Sequence, residues 1–361
     1  MPSAPVAAHD LRPVRIWLFV LAALVILMVA VGGATRLTGS GLSITEWRPV
    51  TGALPPLTHE AWLAEFEKYR QIDQYRLLNQ GMTLGEFQFI YAWEWGHRQL
   101  GRLLGLVFFV PLVVFWAKGL VRGRLALTLL GIGALGGLQG AVGWIMVASG
   151  LKPGMTAVAP VKLALHLTIA SVILMGLVWV ATGLRDRRRE PVTAAARLGS
   201  RVLLSLVLLQ IALGGLVAGS KAGLTFNTWP LMDGRVVPPL DMLFVVEPWI
   251  ENFVDNVALV QFNHRIVAYV VVAFALYHAH QVIRQGPGTV AARRALGVAG
   301  LCLAQGALGV VTLILAVPLW AGLAHQVFAM IVLAMAAVHA RGCSEATAAS
   351  PVRPHALAPA R

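Results

Sequence analysis

Eight apolar stretches, each about as long as a bilayer core is thick, constrain this chain more than any other feature. They run over 14–34, 98–117, 125–148, 162–184, 201–219, 260–281, 293–316 and 320–340. In hydrocarbon every backbone N–H and C=O must be satisfied within the segment, and a helix of roughly 20 residues does this across the membrane. The chain is 58% hydrophobic and 12% charged, a composition few soluble folds tolerate. The expected class is an all-α membrane protein with eight transmembrane helices. The first stretch leads to Arg36 and a Gly-rich segment rather than to a small-residue cleavage site, so it reads as a retained helix.

A net charge of +13 would suggest a nucleic-acid partner in a soluble protein. Its distribution argues otherwise. With eight spans, the N-terminus, 118–124, 185–201, 284–294 and the C-terminal tail share one side. They carry 17 of the 29 Lys and Arg but only 4 of the 16 acids, namely Asp10, Asp186, Glu190 and Glu345. The other side is neutral overall. The positive-inside rule places the basic side, and both termini, in the cytoplasm. The cluster Arg185, Arg187, Arg188 and Arg189 reads as a topology anchor, and no nucleic-acid partner is expected. Cys302, within a helix, and Cys343, in the tail, form neither a disulfide framework nor a thiolate metal motif.

The second half repeats the first. Aligning Trp47 with Trp229 puts Gly32-Gly33 over Gly214-Gly215, Gly41-Leu42-Ser43 over Gly223-Leu224-Thr225, and Thr45 over Asn227. Pro55-Pro56 has a counterpart in Pro238-Pro239. Further on, Glu94-Trp95-Gly96-His97-Arg98 matches Gln261-Phe262-Asn263-His264-Arg265, and Leu165-His166-Leu167 matches Ala324-His325-Gln326. The third helices align as Gly137-Leu138-Gln139-Gly140 over Ala304-Gln305-Gly306-Ala307, small residues that permit close approach. Four spans return the chain to its starting side, so the expected architecture is two pseudo-symmetric four-helix bundles in parallel orientation. The divisions are a tail at 1–13, a first half at 14–184 with a large outer loop at 35–97, a linker at 185–200, a second half at 201–340 and a tail at 341–361. Within the first loop, Trp62, Phe66, Tyr69 and Ile72 have helical spacing. A cap on the membrane surface and a lid over a site beneath are both consistent with this.

The repeat delivers two histidine pairs, His97 with His166 and His264 with His325, each near the start of an even-numbered helix close to the outer face. An imidazole in an apolar helix needs a polar partner. The plainer reading is a hydrogen bond to a neighbouring helix. Four histidines at matching positions favour axial ligation of two haem irons. His9 and His355 in the tails, His59 in the outer loop, and His278, His280 and His339 near cytoplasmic ends lack counterparts and read as solvated or interfacial. Arg98 and Arg265 each follow a paired histidine and suit haem propionates by two parallel hydrogen bonds, a snorkelling arginine being the alternative. Glu94 lies on the face of His97, whereas Gln261 holds the matching position and cannot titrate. The carboxylate could relay protons at a reactive first site, or be a wet interfacial group paired with Arg98. The pattern predicts a reactive first half and a structural or electron-transferring second half.

Residues 32–43, from Gly32-Gly33-Ala34-Thr35-Arg36 to Gly41-Leu42-Ser43, then Glu46-Trp47, Gly52-Ala53-Leu54-Pro55-Pro56, Glu94-Trp95-Gly96-His97-Arg98 and Phe262-Asn263-His264-Arg265, resemble the haem A synthase family over about residues 15–340. The resemblance implies an oxidoreductase that converts the C8 methyl of haem O to a formyl group by two successive hydroxylations. It implies that His97 and His166 hold the substrate haem iron, with Glu94 as catalytic carboxylate, and that His264 and His325 hold the iron of a haem b cofactor that delivers electrons. The first outer loop lacks the cysteine pair of one branch, so the chain resembles the proteobacterial and mitochondrial type. Its short N-terminus suggests a bacterial plasma (inner) membrane. The implied partners are membrane lipid, an electron donor, haem O synthase, cytochrome oxidase assembly factors and a second copy of the chain. The farnesyl tail of haem O needs an apolar exit, for which gaps between helices could serve. Two other readings fit the histidines: a di-haem b-type electron-transfer cytochrome, against which the Glu94/Gln261 difference argues, and a haem transporter or chaperone.

Overall fold

The computed structural model describes residues 10–185 and 191–344. His9, His355, Arg187 to Arg189 and the tail beyond Ser344 lie outside the described residues. Eight helices among the described residues are long and apolar enough to cross a membrane. They are α1 Arg12–Leu37, α2 Leu84–Ala117, α3 Gly123–Gly150, α4 Pro160–Gly183, α5 Ala194–Gly219, α6 Val257–Gln285, α7 Val290–Ile314 and α8 Leu319–Ser344. Short connections at 118–122 and 286–289 join α2 to α3 and α6 to α7 at one end of the bundle. At the other end, residues 38–83 and 220–256 form long loops, and the first of these carries two helices, His59–Arg70 and Asp73–Leu78.

Capping residues set most of the helix starts. Thr83 and Glu86 form a reciprocal capping box at the head of α2: Thr83 Oγ1 accepts from Glu86 N and the Glu86 carboxylate accepts from Thr83 N. Thr193, Asn256 and Thr289 cap α5, α6 and α7, and Pro160 opens α4, where its missing N–H costs nothing. These caps move several expected boundaries. The second helix begins at Leu84 rather than 98, because the capping box nucleates it above the apolar stretch. At 34 residues it is about 51 Å long and projects well beyond a bilayer core. The fifth helix likewise begins inside the expected linker. The seventh ends at Ile314, where Ala316 and Val317 adopt left-handed φ values of 54° and 56°.

Helices α1, α4, α5 and α8 form the centre. In the outer ring, α2 lies on α1, α3 on α4, α6 on α5 and α7 on α8. Lipid is as apolar as leucine, so close packing replaces the hydrophobic effect as the force between helices. Leu18 and Leu21 of α1, Leu174 and Leu177 of α4, Leu203 of α5 and Leu333 of α8 fill the centre and are fully buried. Glycine supplies the closest approach. A Cβ at Gly215 of α5 would stand 2.8 Å from Ala164 Cα of α4. At the matching α1–α8 crossing a Cβ at Gly33 would stand 2.6 Å from Gln326 Oε1, and the Gln326 amide donates to Val29 O at 2.8 Å. The outer ring is unequal: α6 packs along α7 for much of its length, whereas α2 and α3 touch at only a few points.

The helix His59–Arg70 lies against the projecting first turns of α2. Trp62, Phe66 and Tyr69 pack on Phe87, Ile90 and Tyr91 in a second apolar cluster. Tyr69 donates to Gln74 Oε1 at 3.0 Å and accepts from Asn79, and Gln74 in turn donates to Gly39 O and Thr156 O. Burial pushes the Tyr69 phenol above its ordinary value, against the opposing Asn79 hydrogen bond. This loop is thereby tied both to the end of α1 and to the α3–α4 connection.

Candidate functional site

Each of the four paired imidazoles lies against a glycine on a neighbouring helix. A Cβ at Gly32 of α1 would stand 2.9 Å from His97 Nε2, and one at Gly143 of α3 would stand 2.9 Å from His166 Cε1. In the second half a Cβ at Gly214 of α5 would stand 3.2 Å from His264 Cε1, and one at Gly309 of α7 would stand 2.9 Å from His325 Cε1. The glycines leave each ring room beside the neighbouring helix. His97 and His166 are within electrostatic reach of each other, as are His264 and His325. His97 lies not at the start of α2 but thirteen residues into it, because that helix is longer than its apolar stretch.

Glutamine side chains hold the histidine backbones. Gln139 Nε2 donates to His166 O at 2.9 Å and Gln305 Nε2 donates to His325 O at 3.0 Å. This equivalence corrects the expected alignment of the third helices by one residue: Gln139 matches Gln305 and Gly140 matches Gly306. Small residues on both helices made neighbouring registers look alike in sequence. In the second half the amides also reach the rings, Gln210 to His264 Nδ1 at 3.0 Å and Gln305 to His325 Nδ1 at 3.2 Å. In the first half His166 Nδ1 is buried without a partner, and Met28 stands where α5 has Gln210.

Glu94 is 3% exposed and fully engaged. Its carboxylate accepts from Arg98 Nη2 at 2.7 Å, from Ser43 Oγ at 2.8 Å and from Ile44 N at 2.9 Å. It is therefore buried rather than wet, and the expected pairing with Arg98 is present. Gln261, 2% exposed, holds the matching loop with the opposite polarity, donating to Ala222 O at 2.7 Å and Thr225 O at 2.5 Å. The arginines staple the same loops. Arg98 donates to Ile44 O and Glu46 O, both at 2.9 Å, and Arg265 donates to Phe226 O at 2.6 Å. Ile44 and Phe226 are equivalent positions of the repeat. Arg102 adds bonds to Pro49 O and Arg48 O. Above Arg98, a cavity of about 430 Å³ is lined by Glu46, Arg48, Glu65, Tyr91, Arg98 and Arg102 among others.

Sequence reasoning misplaced one further pair. His278 and His339, expected at a solvated or interfacial level, are 3% and 1% exposed and share a hydrogen bond of 2.8 Å between their Nε2 atoms. Cys343, expected in a tail, is buried in α8 with Sγ 3.9 Å from the His339 ring. The signal was available. His278 and His339 each follow a paired histidine by fourteen residues, which is about 21 Å of helix and nearly a whole number of turns. Both therefore face inward between α6 and α8. The matching positions in the first half are Pro111 and Val180. His59 and His280 are exposed, as expected.

Among the described residues no group of three or more His, Cys, Asp or Glu is placed to hold a bare metal ion. Paired imidazoles beside glycines suit a metal that brings its own planar ring of ligands, with one histidine on each face.

A model of the COX15-CtaA family, described as cytochrome oxidase assembly protein, matches residues 15–337. A protein of Methylobacterium sp. (strain 4-46) named Heme A synthase is 68% identical over 332 residues, covering 91% of each chain. One of the same name from Methylobacterium radiotolerans is 65% identical over 343 residues, covering 94% of this chain and 93% of the relative. A third, from Brucella ovis, is 50% identical over 341 residues, covering 94% of both. The chain belongs to the COX15-CtaA family of cytochrome oxidase assembly proteins.

Proposed function

We propose that this protein is a haem A synthase, a multi-pass membrane oxidoreductase that converts the C8 methyl of haem O to a formyl group. The observation that carries the reading is the inequality of two otherwise matching histidine sites, of which only the first has a buried carboxylate. His97 and His166 would hold the substrate haem, and Gly32 and Gly143 leave their rings room to do so. Each hydroxylation replaces a C–H by C–OH and consumes one O₂, two electrons and two protons, releasing one water. The second gives a gem-diol, which loses water to leave the aldehyde.

Glu94 stands three residues from His97 with one oxygen on Arg98 and the other on Ser43 and Ile44 N. This holds a proton-accepting group at a fixed place beside the first site, where it can take up or return a proton as the methyl is oxidised. Arg98 and Arg265 spend donors on loop carbonyls, so their role toward propionates is to fix the loop that covers them, with the remaining donors available for direct contact. A haem b fits His264 and His325: Gly214 and Gly309 give the rings space, and Gln210 and Gln305 orient them. When bound it would supply one-electron transfer to the first site.

The surplus of basic residues at the short-turn end supports an inner-membrane protein with both termini in the cytoplasm. Haem O synthase as supplier of substrate, a separate electron donor, assembly factors and a second copy of the chain are the partners this reading implies. The decisive experiment is co-expression with a haem O synthase, followed by purification and analysis of the extracted haem by pyridine spectrum and mass. Haem A is the expected product. Haem b alone, with haem O accumulating unconverted, would replace the enzyme with an electron-transfer cytochrome.

A further inference from the structure

The two halves differ most at the seams of the outer ring, where α2 meets α3 and α6 meets α7. In the second half this seam is closed: Val272 of α6 lies 3.7 Å from where a Cβ on Gly306 of α7 would be, and Cys302, one turn away on α7, is buried. In the first half Gly140 takes the place of Gly306, Gly136 the place of Cys302 and Gly105 the place of Val272. No atom lies within 4 Å of a Cβ built on any of these three glycines, and Gly136 and Gly140 are exposed. The seam is open because Gly105 and Gly136 stand where the second half has the side chains of Val272 and Cys302, and because α2 stands away from α3.

The opening has two defined ends. Gly133, Gly136, Gly140 and Gly143 follow one another at helical spacing on one face of α3. At the top, Gly143 lies against the His166 ring. At the bottom, Phe108 and Phe109 of α2 close on Gly133, with Phe108 Cε1 only 2.8 Å from where a Cβ would stand. The ten-residue separation from Gly133 to Gly143 spans about 15 Å along the helix. The slot therefore starts at the imidazole of the first site, runs sideways and down between α2 and α3, and stops at an aromatic plug.

We propose that this slot receives the isoprenoid tail of the substrate. The inference rests on the reading of the first site as the haem O site and adds the place where the tail goes. The difference between the seams follows the difference between the ligands, since haem O carries a farnesyl chain and haem b does not. In a membrane the slot holds the tail by close packing rather than by the hydrophobic effect, which favours haem O over a tail-less haem. It also sets orientation. Held by His97 and His166 alone, a haem would be free to turn in its plane, whereas a tail held between α2 and α3 would stop that rotation and present one methyl group to one side of the pocket.

Filling the slot tests this without relying on turnover. Gly140→Leu places a side chain in open space and is expected to leave folding intact, and Gly105→Val copies the second half directly. Haem O and tail-less haem b are titrated separately into each purified protein carrying its tightly held haem, and binding at the first site is followed by absorbance. The native protein is expected to prefer haem O, and each variant to lose at least tenfold of that preference while its tightly held haem remains. That retained haem also reports that the variant has folded. Unchanged preference in both variants, with haem O binding lost in His97→Ala, would overturn the slot and leave the first site standing. Retained haem O binding in His97→Ala would instead remove the site on which the proposal rests.

Discussion

The two halves of the molecule use one scaffold and differ in four places that bear on chemistry. The first half has Glu94, a free His166 Nδ1, an open α2–α3 seam, and Pro111 with Val180 deep in the bundle. The second has Gln261, amides on both imidazoles, a closed α6–α7 seam, and the His278–His339 pair. Every second-half feature restrains a ligand or ties helices together. The first-half features add a buried carboxylate and leave room and a ring nitrogen uncommitted. The repeat supplies two matching histidine sites, and under the proposed function the difference between them would separate a site that holds its ligand from one that must admit, alter and release it.

Removing ligands should break the comparison most sharply. His264→Ala or His325→Ala is expected to purify without tightly bound haem b, whereas His97→Ala keeps it and makes no haem A. Pyridine spectra of the three proteins decide this, and a normal haem complement in both second-half variants would end the division of labour. Next in size is Glu94. Glu94→Gln keeps the shape and the Ser43 contact but cannot titrate, and haem A output should fall about a hundred- to ten-thousandfold. The reverse change, Gln261→Glu, sets a carboxylate against Ala222 O and Thr225 O. It should lower stability by about 3 kcal/mol, read as an earlier thermal transition with little direct effect on the first site.

Much of this asymmetry was legible in sequence, for identifiable reasons. Eight spans follow from hydropathy because lipid permits so few backbone solutions. The histidine pairs follow because the repeat marks them twice, and Glu94 stood out because its counterpart is an amide. The head of α2 was missed although Thr83 and Glu86 announce it, because the turns it nucleates are polar enough to fall outside an apolar window. The role of Arg98 and Arg265 as loop staples was not legible. A guanidinium next to a paired histidine can serve carbonyls, propionates or both, and only the path of residues 44–46 and 226–231 reveals the carbonyls it reaches. The His278–His339 pair was misjudged because a repeat-based filter discards whatever one half lacks.

A finer distinction lies in the imidazole partners. Gln210→Met makes the second half resemble the first at that position, removing the amide from His264 Nδ1. Loss of such an outer partner typically weakens a metal site about 10- to 100-fold. The variant should still bind haem b but release it faster to apomyoglobin. The converse, Met28→Gln, should slow exchange of haem at the first site. Equal exchange rates in all three proteins would mean that the glutamines hold only the helix backbones.

The smallest effect tests whether the His278–His339 bond serves the haem or only the helices. Neither ring contacts the first site, and they lie about 21 Å below the second pair. Replacing one, as in His278→Leu, leaves the other imidazole buried with a lost partner, at a cost of about 1–3 kcal/mol. Replacing both removes the unmatched group, so His278→Leu with His339→Leu should be more stable than either single variant. Thermal unfolding of the four proteins gives the coupling directly. A tie between helices predicts that the double variant keeps haem b with an unchanged reduction potential. A potential that moves with the double variant would show instead that the spacing of α6 and α8 at this depth sets the geometry of His264 and His325.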